Sequence, residues 1–134
     1  MIMNEKKKIL IIEDHDSIRL LLGNFLSKEF NVFTMKDGFD ALMWLSNGNI
    51  PDLILLDLGM PRVNGLEFLT NIRGSGFFAE IPVIVVSGKD NSELLAECKK
   101  FGIHEYLTKP FNPIKLKEMI GNAFQDKKSR RAAR

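Results

Sequence analysis

Five polar residues in this sequence stand directly after short apolar runs, where they could do chemistry together. Glu13 and Asp14 follow "KILII", Asp57 ends the run in "LILLDLGMP", and Ser87 and Lys109 come after two later runs. Three carboxylates placed together repel one another unless a cation is present, and such oxygen ligands suit a hard ion such as Mg²⁺. A carboxylate beside Mg²⁺ can act as a nucleophile on a phosphoryl group, whose charge a lysine offsets and to which a serine donates a hydrogen bond. These residue types therefore indicate phosphoryl chemistry at Asp57.

The five residues can meet only if the segments before them lie side by side. Strand and helix patterns alternate five times along the chain. The predicted strands are 8–12, 31–34, 53–56, 83–86 and 105–107, and the predicted helices are 17–28, 39–46, 64–72, 92–101 and 113–124. This alternation predicts an α/β fold, a doubly wound five-stranded parallel sheet of flavodoxin-like (βα)5 type.

The order of the strands follows from their polarity. The three most apolar strands should be central because both of their faces are covered, which leaves the strands at 31–34 and 105–107 as edges. Right-handed crossovers then favour the order 2-1-3-4-5. In that order Asp57 lies opposite Glu13 and Asp14, at the reversal of strand order where open α/β sheets bind ligands.

Composition limits the class of protein. The chain has 134 residues, the size of one domain, and its single cysteine allows no intramolecular disulfide, so a reducing cytoplasm is expected. The apolar start is too short for a signal peptide or a membrane span. We expect a folded domain at 1–125 and a disordered tail at 126–134, "DKKSRRAAR", with five basic residues and one acidic residue. Such a tail without aromatic residues predicts no specific nucleic-acid binding.

Four segments resemble the motifs of response-regulator receiver domains of two-component signalling: "IIEDHDSIR", "LLDLGMPRVNGLEFL", "IPVIVVSG" and "EYLTKPF". The resemblance spans roughly residues 8–124. It implies that Asp57 is phosphorylated, that Asp14 binds Mg²⁺ directly and Glu13 through water, and that Mn²⁺ can replace Mg²⁺. The backbone carbonyl of Gly59 would complete the protein ligands. His15, next to the acidic pair, is expected to face solvent at the mouth of the site.

The resemblance also assigns roles outside the acidic cluster. Ser87 would be the switch hydroxyl, Tyr106 the switch aromatic and Lys109 the phosphoryl-binding lysine, with a cis bond between Lys109 and Pro110. The sequence departs from the commoner pattern in having Glu-Asp rather than Asp-Asp as its acidic pair. At the two places that tune dephosphorylation it has Gly59 and Lys89, so the phosphoryl lifetime stays open.

The preferred function is a phosphorylation-switched receiver that accepts a phosphoryl group from a sensor histidine kinase or a histidine phosphotransfer protein. Because only about ten residues follow the last predicted helix, we expect a stand-alone receiver that signals by protein binding or relay, including a phosphorylation-dependent dimer through the 92–124 face. One alternative is a Mg²⁺-dependent phosphatase that works through an aspartyl phosphate. Against it, many such enzymes have a second Asp where this chain has Gly59. A nucleotide-binding domain is disfavoured because no G-x-x-x-x-G-K or G-x-G-x-x-G run is present.

Overall fold

Five strands and five helices alternate along the part of the chain that the structure describes. The computed structural model describes residues 5–60, 63–88 and 92–132, with side chains described as far as Asp126. The elements are β1 Lys8–Ile12, α1 Asp16–Leu26, β2 Asn31–Met35, α2 Gly38–Ser46, β3 Leu53–Asp57, α3 Gly65–Arg73, β4 Val83–Ser87, α4 Ser92–Lys99, β5 Glu105–Thr108 and α5 Pro113–Ala132. Among these described helices, none is both long and apolar enough to cross a membrane.

The strands form one parallel sheet in the order β2-β1-β3-β4-β5, as the sequence predicted. Apolar side chains cover both of its faces. On one face, α2, α3 and α4 bury residues that include Leu45, Phe68 and Cys98. On the other, α1 and α5 bury residues that include Leu22 and Ile120. Because the strands are parallel, all of their carboxyl ends lie at the same edge of the sheet.

Four strands, β2 to β5, extend one residue beyond the prediction, and in β3 and β4 the added residues, Asp57 and Ser87, belong to the predicted site. Asp57 pairs with Val86 as the last residue of β3, and Ser87 pairs with Thr108 as the last residue of β4. Both polar residues can belong to strands because the hydrogen bonds between strands are made by main-chain atoms and not by side chains. Asp57 and Ser87 are thus held by the sheet and not by a loop.

The last two helices end at places that differ from the prediction. α4 ends at Lys99, before Gly102, which has a φ of 75° that favours glycine. α5 continues to Ala132, whereas the sequence predicted a helix end at Phe124 and a disordered tail from residue 126. Lysine, arginine and alanine all favour helices, and no Gly or Pro interrupts 122–132, so nothing local ends the helix sooner. Residues 133–134 lie outside the described part, and a folded domain that ends at 125 stays a prediction.

Candidate functional site at the carboxyl edge of the sheet

The ends of three strands bring two carboxylates and an amine into contact. Glu13 directly follows β1, Asp57 ends β3 and Lys109 directly follows β5. The Lys109 Nζ atom lies 3.0 Å from Glu13 Oε1 and 3.5 Å from Asp57 Oδ2. Both carboxylate side chains are almost completely buried, with 3% and 5% of their surface exposed. The residues that the sequence predicted to converge therefore do so, in a site of low solvent access.

The loop after Asp57 is shaped by two glycines. The Gly59 N–H donates a hydrogen bond to Asp57 Oδ1 over 3.2 Å, which orients one carboxylate oxygen. Gly65, the first residue of α3, packs against Leu58 so closely that an added Cβ atom would lie 2.7 Å from the Leu58 Cα atom. Its N–H also donates to the Leu58 carbonyl over 3.2 Å. Because Leu58 directly follows Asp57, this packing fixes the backbone that carries the carboxylate.

The turn from β1 into α1 positions the acidic pair. The Glu13 N–H donates to the Met35 carbonyl over 3.0 Å, and the Arg19 guanidinium donates to the Glu13 carbonyl over 2.9 Å. Arg19 also pairs with Asp16 at 2.5 Å. The turn is therefore held from β2 on one side and from α1 on the other, although the sequence analysis had assigned no role to Arg19.

His15 lies at the mouth of the site, as predicted, with 62% of its side chain exposed. It nevertheless contacts both acidic residues, which the sequence analysis missed. Its Nδ1 atom is 3.2 Å from Glu13 Oε2 and 3.3 Å from Asp14 Oδ1. The sequence places His15 directly after the acidic pair, but the contact itself depends on the direction of its side chain at the N-cap of α1.

Burial and charge change the proton affinities of the three groups in contact. Burial, and then the negative charge of Glu13, raise the pKa of Asp57 from 3.8 to about 7. Burial by itself raises the pKa of Glu13, but hydrogen bonds from the His15 N–H and from Lys109 outweigh it and hold that pKa below its ordinary value. Burial by itself lowers the pKa of Lys109, but its bonds and charge interactions with Glu13 and Asp57 outweigh it and raise the pKa. Lys109 therefore stays charged while Asp57 binds a proton more readily than an ordinary aspartate.

The acidic cluster fits a divalent cation. Ligand atoms of Glu13, Asp14, His15 and Asp57 all lie within 4.8 Å of one another. Within the described residues, Asp14 Oδ1 is buried and accepts no hydrogen bond. A buried oxygen without a partner is costly unless an ion or a water satisfies it. Carboxylate oxygens are the ligands that Mg²⁺ and Mn²⁺ prefer, so the donor set present matches such an ion.

The predicted switch residues lie on two paired strands, Ser87 on β4 and Tyr106 on β5. Ser87 is buried at the end of β4, and its carbonyl accepts a hydrogen bond from the Lys109 N–H over 2.8 Å. Tyr106 on β5 is 39% exposed, and the Lys99 Nζ atom of α4 lies 4.4 Å from the centre of its ring. The bond between Lys109 and Pro110 is cis, as the resemblance implied. Lys89, the second departure from the family pattern, lies outside the described residues.

The fold and this arrangement of strand-end residues agree with a comparison of sequences. A sequence model of the response regulator receiver domain matches residues 9–121. The chain belongs to the response regulator receiver family. Receiver domains act in two-component signalling, are in general non-catalytic and bind Mg²⁺ at an acidic pocket, and the cluster around Asp57 could hold such an ion here.

Several bacterial proteins resemble this receiver. Regulator of RpoS from Escherichia coli strain K12 is 39% identical over 116 residues, which cover 85% of this chain and 34% of that protein. The chain therefore spans about a third of that relative. Chemotaxis protein CheY-3 from Vibrio cholerae is 31% identical over 126 residues, 92% of this chain and 96% of that protein. The crystal structure of a receiver domain protein from Clostridium thermocellum has a TM-score of 0.82 at 28% identity and covers 91% of this chain and 97% of its own. Segments of sensor histidine kinases also match.

Proposed function

We propose that Asp57 accepts a phosphoryl group from a phosphohistidine of a sensor histidine kinase or a histidine phosphotransfer protein. The observation that carries this proposal is the contact of Lys109 with both Glu13 and Asp57 at the carboxyl edge of the sheet. An Asp57 carboxylate oxygen attacks phosphorus, the new O–P bond forms as the N–P bond breaks, and the histidine nitrogen leaves with the bonding electrons. Lys109 is close enough to move from Glu13 onto the phosphoryl oxygens and offset their charge.

A divalent cation completes this site. The side chains of Glu13, Asp14 and Asp57 and the backbone carbonyl of Gly59 would hold Mg²⁺ or Mn²⁺. When bound, the ion neutralises charge that develops on the transferring group. The chain itself orients one Asp57 oxygen through the Gly59 N–H and leaves Asp57 Oδ2 beside Lys109. Burial raises the pKa of Asp57 to about 7, so a bound cation, which lowers that pKa, would favour the carboxylate form that reacts.

Phosphorylation then biases a surface through Ser87 and Tyr106. A phosphoryl group on Asp57 would draw the Ser87 hydroxyl toward it, since Ser87 ends the strand beside β3. The space left would let the Tyr106 ring turn inward from its exposed position against Lys99. The output face is then formed by α4, β5 and α5, where a partner protein or a second receiver binds. A coupling of about 1–3 kcal/mol between site and surface is sufficient for such a switch.

Phosphatase action on small esters is not favoured by the site. A general acid close to the nucleophile would be needed, and Gly59 supplies only its backbone N–H two residues after Asp57. The proposal is therefore a signalling receiver in which the phosphoryl group is stored on Asp57 and not turned over on a substrate.

Mass spectrometry of the intact protein after incubation with acetyl phosphate and Mg²⁺ tests the proposal. We expect one added phosphoryl group in the wild type and none in Asp57→Asn. Asp37→Asn is a matched control, because Asp37 is a second buried aspartate beyond a strand end, whose side chain accepts the Asp40 N–H at the start of α2. It should be phosphorylated like the wild type. Phosphorylation of Asp57→Asn at the wild-type rate would disprove the assignment.

A second measurement tests the switch. Ser87→Ala should accept the phosphoryl group, since Ser87 is not the nucleophile, but the NMR shifts of β5 and α5 on phosphorylation should be smaller than in the wild type. Thr70→Ala is a control, because the Thr70 hydroxyl donates to the Leu66 carbonyl within α3, away from the site. Equal shifts in Ser87→Ala and the wild type would contradict a role for Ser87 in the response.

A further inference from the structure

His15 occupies a helix N-cap without capping the helix. Ser, Thr, Asp and Asn are the usual residues at this position, because their short side chains accept a hydrogen bond from the first turn. His15 makes no such side-chain bond in α1. Its ring turns instead toward the end of β1, where Nδ1 lies close to both Glu13 Oε2 and Asp14 Oδ1. The ordinary structural role of an N-cap residue therefore does not account for the position of the imidazole.

A proton on Nδ1 accounts for only one of these two contacts. The ring can donate toward Glu13 Oε2, over 3.2 Å. Asp14 Oδ1 is 3.3 Å from the same nitrogen, but it is buried and has no hydrogen-bond partner among the described residues. The cluster thus holds one nitrogen within 3.3 Å of two carboxylate oxygens, one of which accepts no hydrogen bond within the described residues.

The separations of these atoms match those of ligands around a common metal ion. Ligands about 2.1 Å from one ion lie about 3.0 Å apart at neighbouring corners of an octahedron and about 3.4 Å apart in a tetrahedron. The observed 3.2 Å and 3.3 Å fall between these two values. Nδ1 is therefore placed where it could share an ion with the carboxylates without a rearrangement of the turn.

The turn that carries His15 is fixed before any ion binds. Arg19 donates to the carbonyls of Glu13 and Asp14, over 2.9 Å and 3.4 Å. The His15 N–H donates to Glu13 Oε2 over 3.1 Å. A side chain held on such a turn loses little further freedom on binding, which favours a weak additional ligand.

We propose that His15 is a ligand of the metal ion at this site and shifts its preference from Mg²⁺ toward Zn²⁺ and similar borderline transition-metal ions. Mg²⁺ takes oxygen ligands, whereas an imidazole nitrogen suits Zn²⁺, Ni²⁺ and Cu²⁺. The ring would add to the carboxylates of Glu13, Asp14 and Asp57, whose ligand atoms lie within 4.8 Å of it, while Glu13 Oε1 keeps its contact with Lys109. The inference deepens the proposed function, since it concerns the same acidic cluster, but it does not require that Asp57 be phosphorylated.

The consequence is regulation by metal identity. With Zn²⁺ the imidazole would lie across the mouth of the site, on the side that a phosphodonor must approach, since His15 is the exposed member of the cluster. A Zn²⁺-loaded receiver should therefore be phosphorylated more slowly than a Mg²⁺-loaded one. Removal of the ring should lessen this difference.

Calorimetry with Zn²⁺ and with Mg²⁺ separately, on the full chain, tests the proposal. The protein has two histidines, so His104→Gln is a matched control at the opposite edge of the sheet. His15→Gln should weaken Zn²⁺ binding by about tenfold or more, the scale typical of altered metal ligation, and change Mg²⁺ binding by less than about twofold. His104→Gln should leave the ratio of the two affinities as in the wild type.

NMR of the imidazole nitrogens separates metal ligation from a purely structural role, because a structural role would not shift the Nδ1 resonance of His15 when Zn²⁺ is added. On Zn²⁺ addition, the Nδ1 resonance of His15 should shift as for a coordinated nitrogen, while that of His104 stays in place. If His15 Nδ1 does not respond, or if His15→Gln weakens both ions equally, His15 is not a ligand and the proposal is wrong. The two claims fail separately in the wild type: a Zn²⁺-dependent His15 shift without uptake of a phosphoryl group would leave the metal proposal standing and overturn only the proposed function.

Discussion

Asp57→Asn should stabilise the metal-free protein by an amount that grows with pH. The pKa of Asp57 rises from 3.8 to about 7 on folding, because folding buries the carboxyl beside Glu13. As pH rises above 3.8, the unfolded chain loses this proton first and the folded protein retains it. The unfolded state then binds fewer protons, so the free energy of unfolding falls with pH until the folded pKa is passed. Asparagine carries no such proton and escapes this loss.

The size of the pKa shift of Asp57 sets the size of the stability difference between Asp57→Asn and the wild type. One pKa unit corresponds to about 1.4 kcal/mol, so a shift of about three units costs up to about 4 kcal/mol at neutral pH and about 0.5 kcal/mol near pH 4. Asparagine also lacks the attraction of Lys109 for Asp57, but that amine keeps its contact with Glu13 at 3.0 Å. We therefore expect Asp57→Asn to be more stable than the wild type by about 2–4 kcal/mol at pH 7.5 and by less than about 1 kcal/mol at pH 4.5.

Urea unfolding in the presence of a chelator measures this difference across the pH range. Trp44 packs against Phe33 beside the core and reports unfolding by its fluorescence. Glu118→Gln, which neutralises an exposed carboxylate on α5, controls for the loss of a surface charge. If the difference between Asp57→Asn and the wild type varies with pH no more than it does for Glu118→Gln, burial of Asp57 as a high-pKa carboxyl is refuted. Saturating Mg²⁺ should stabilise the wild type more than the variant.

Three further outcomes are expected. Asp14→Ala should weaken Mg²⁺ binding more than Glu13→Gln does, because Asp14 Oδ1 accepts no hydrogen bond within the described part of the chain, whereas Glu13 is bonded to Lys109. Titration of each variant with Mg²⁺ checks this, and equal loss would count against it. Gly65→Ala should lower the free energy of unfolding by about 1–3 kcal/mol and slow phosphorylation, because its Cβ would meet the Leu58 backbone; an unchanged urea midpoint would show that the loop adapts. Truncation after Gln125 should leave folding and phosphorylation unchanged, since the removed residues lie outside the strand ends; loss of either would show that the end of α5 packs on the domain.

The sequence alone determined the fold and the convergence of the site. Alternating strand and helix patterns have few parallel-sheet solutions, and crossover handedness reduces them to the order that is observed. Because all parallel strands end at one edge, the positions of Glu13, Asp57 and Lys109 in the chain were enough to bring them together. Burial at that edge followed as well, since Asp57 ends a run of apolar residues that both helical layers cover.

Tertiary structure decided what chain position cannot encode. The contacts of His15 with two carboxylates depend on the direction of its side chain at the N-cap of α1. The apolar periodicity of a helix does not specify that direction. The hydrogen bond from the Arg19 guanidinium to the Glu13 carbonyl also depends on a side-chain direction that the sequence does not specify. The pKa of Asp57 depends on distances and solvent access that exist only once the strands pair. The sequence thus determines where the site lies, while packing determines the protonation of Asp57 and the side chains that contact the acidic pair.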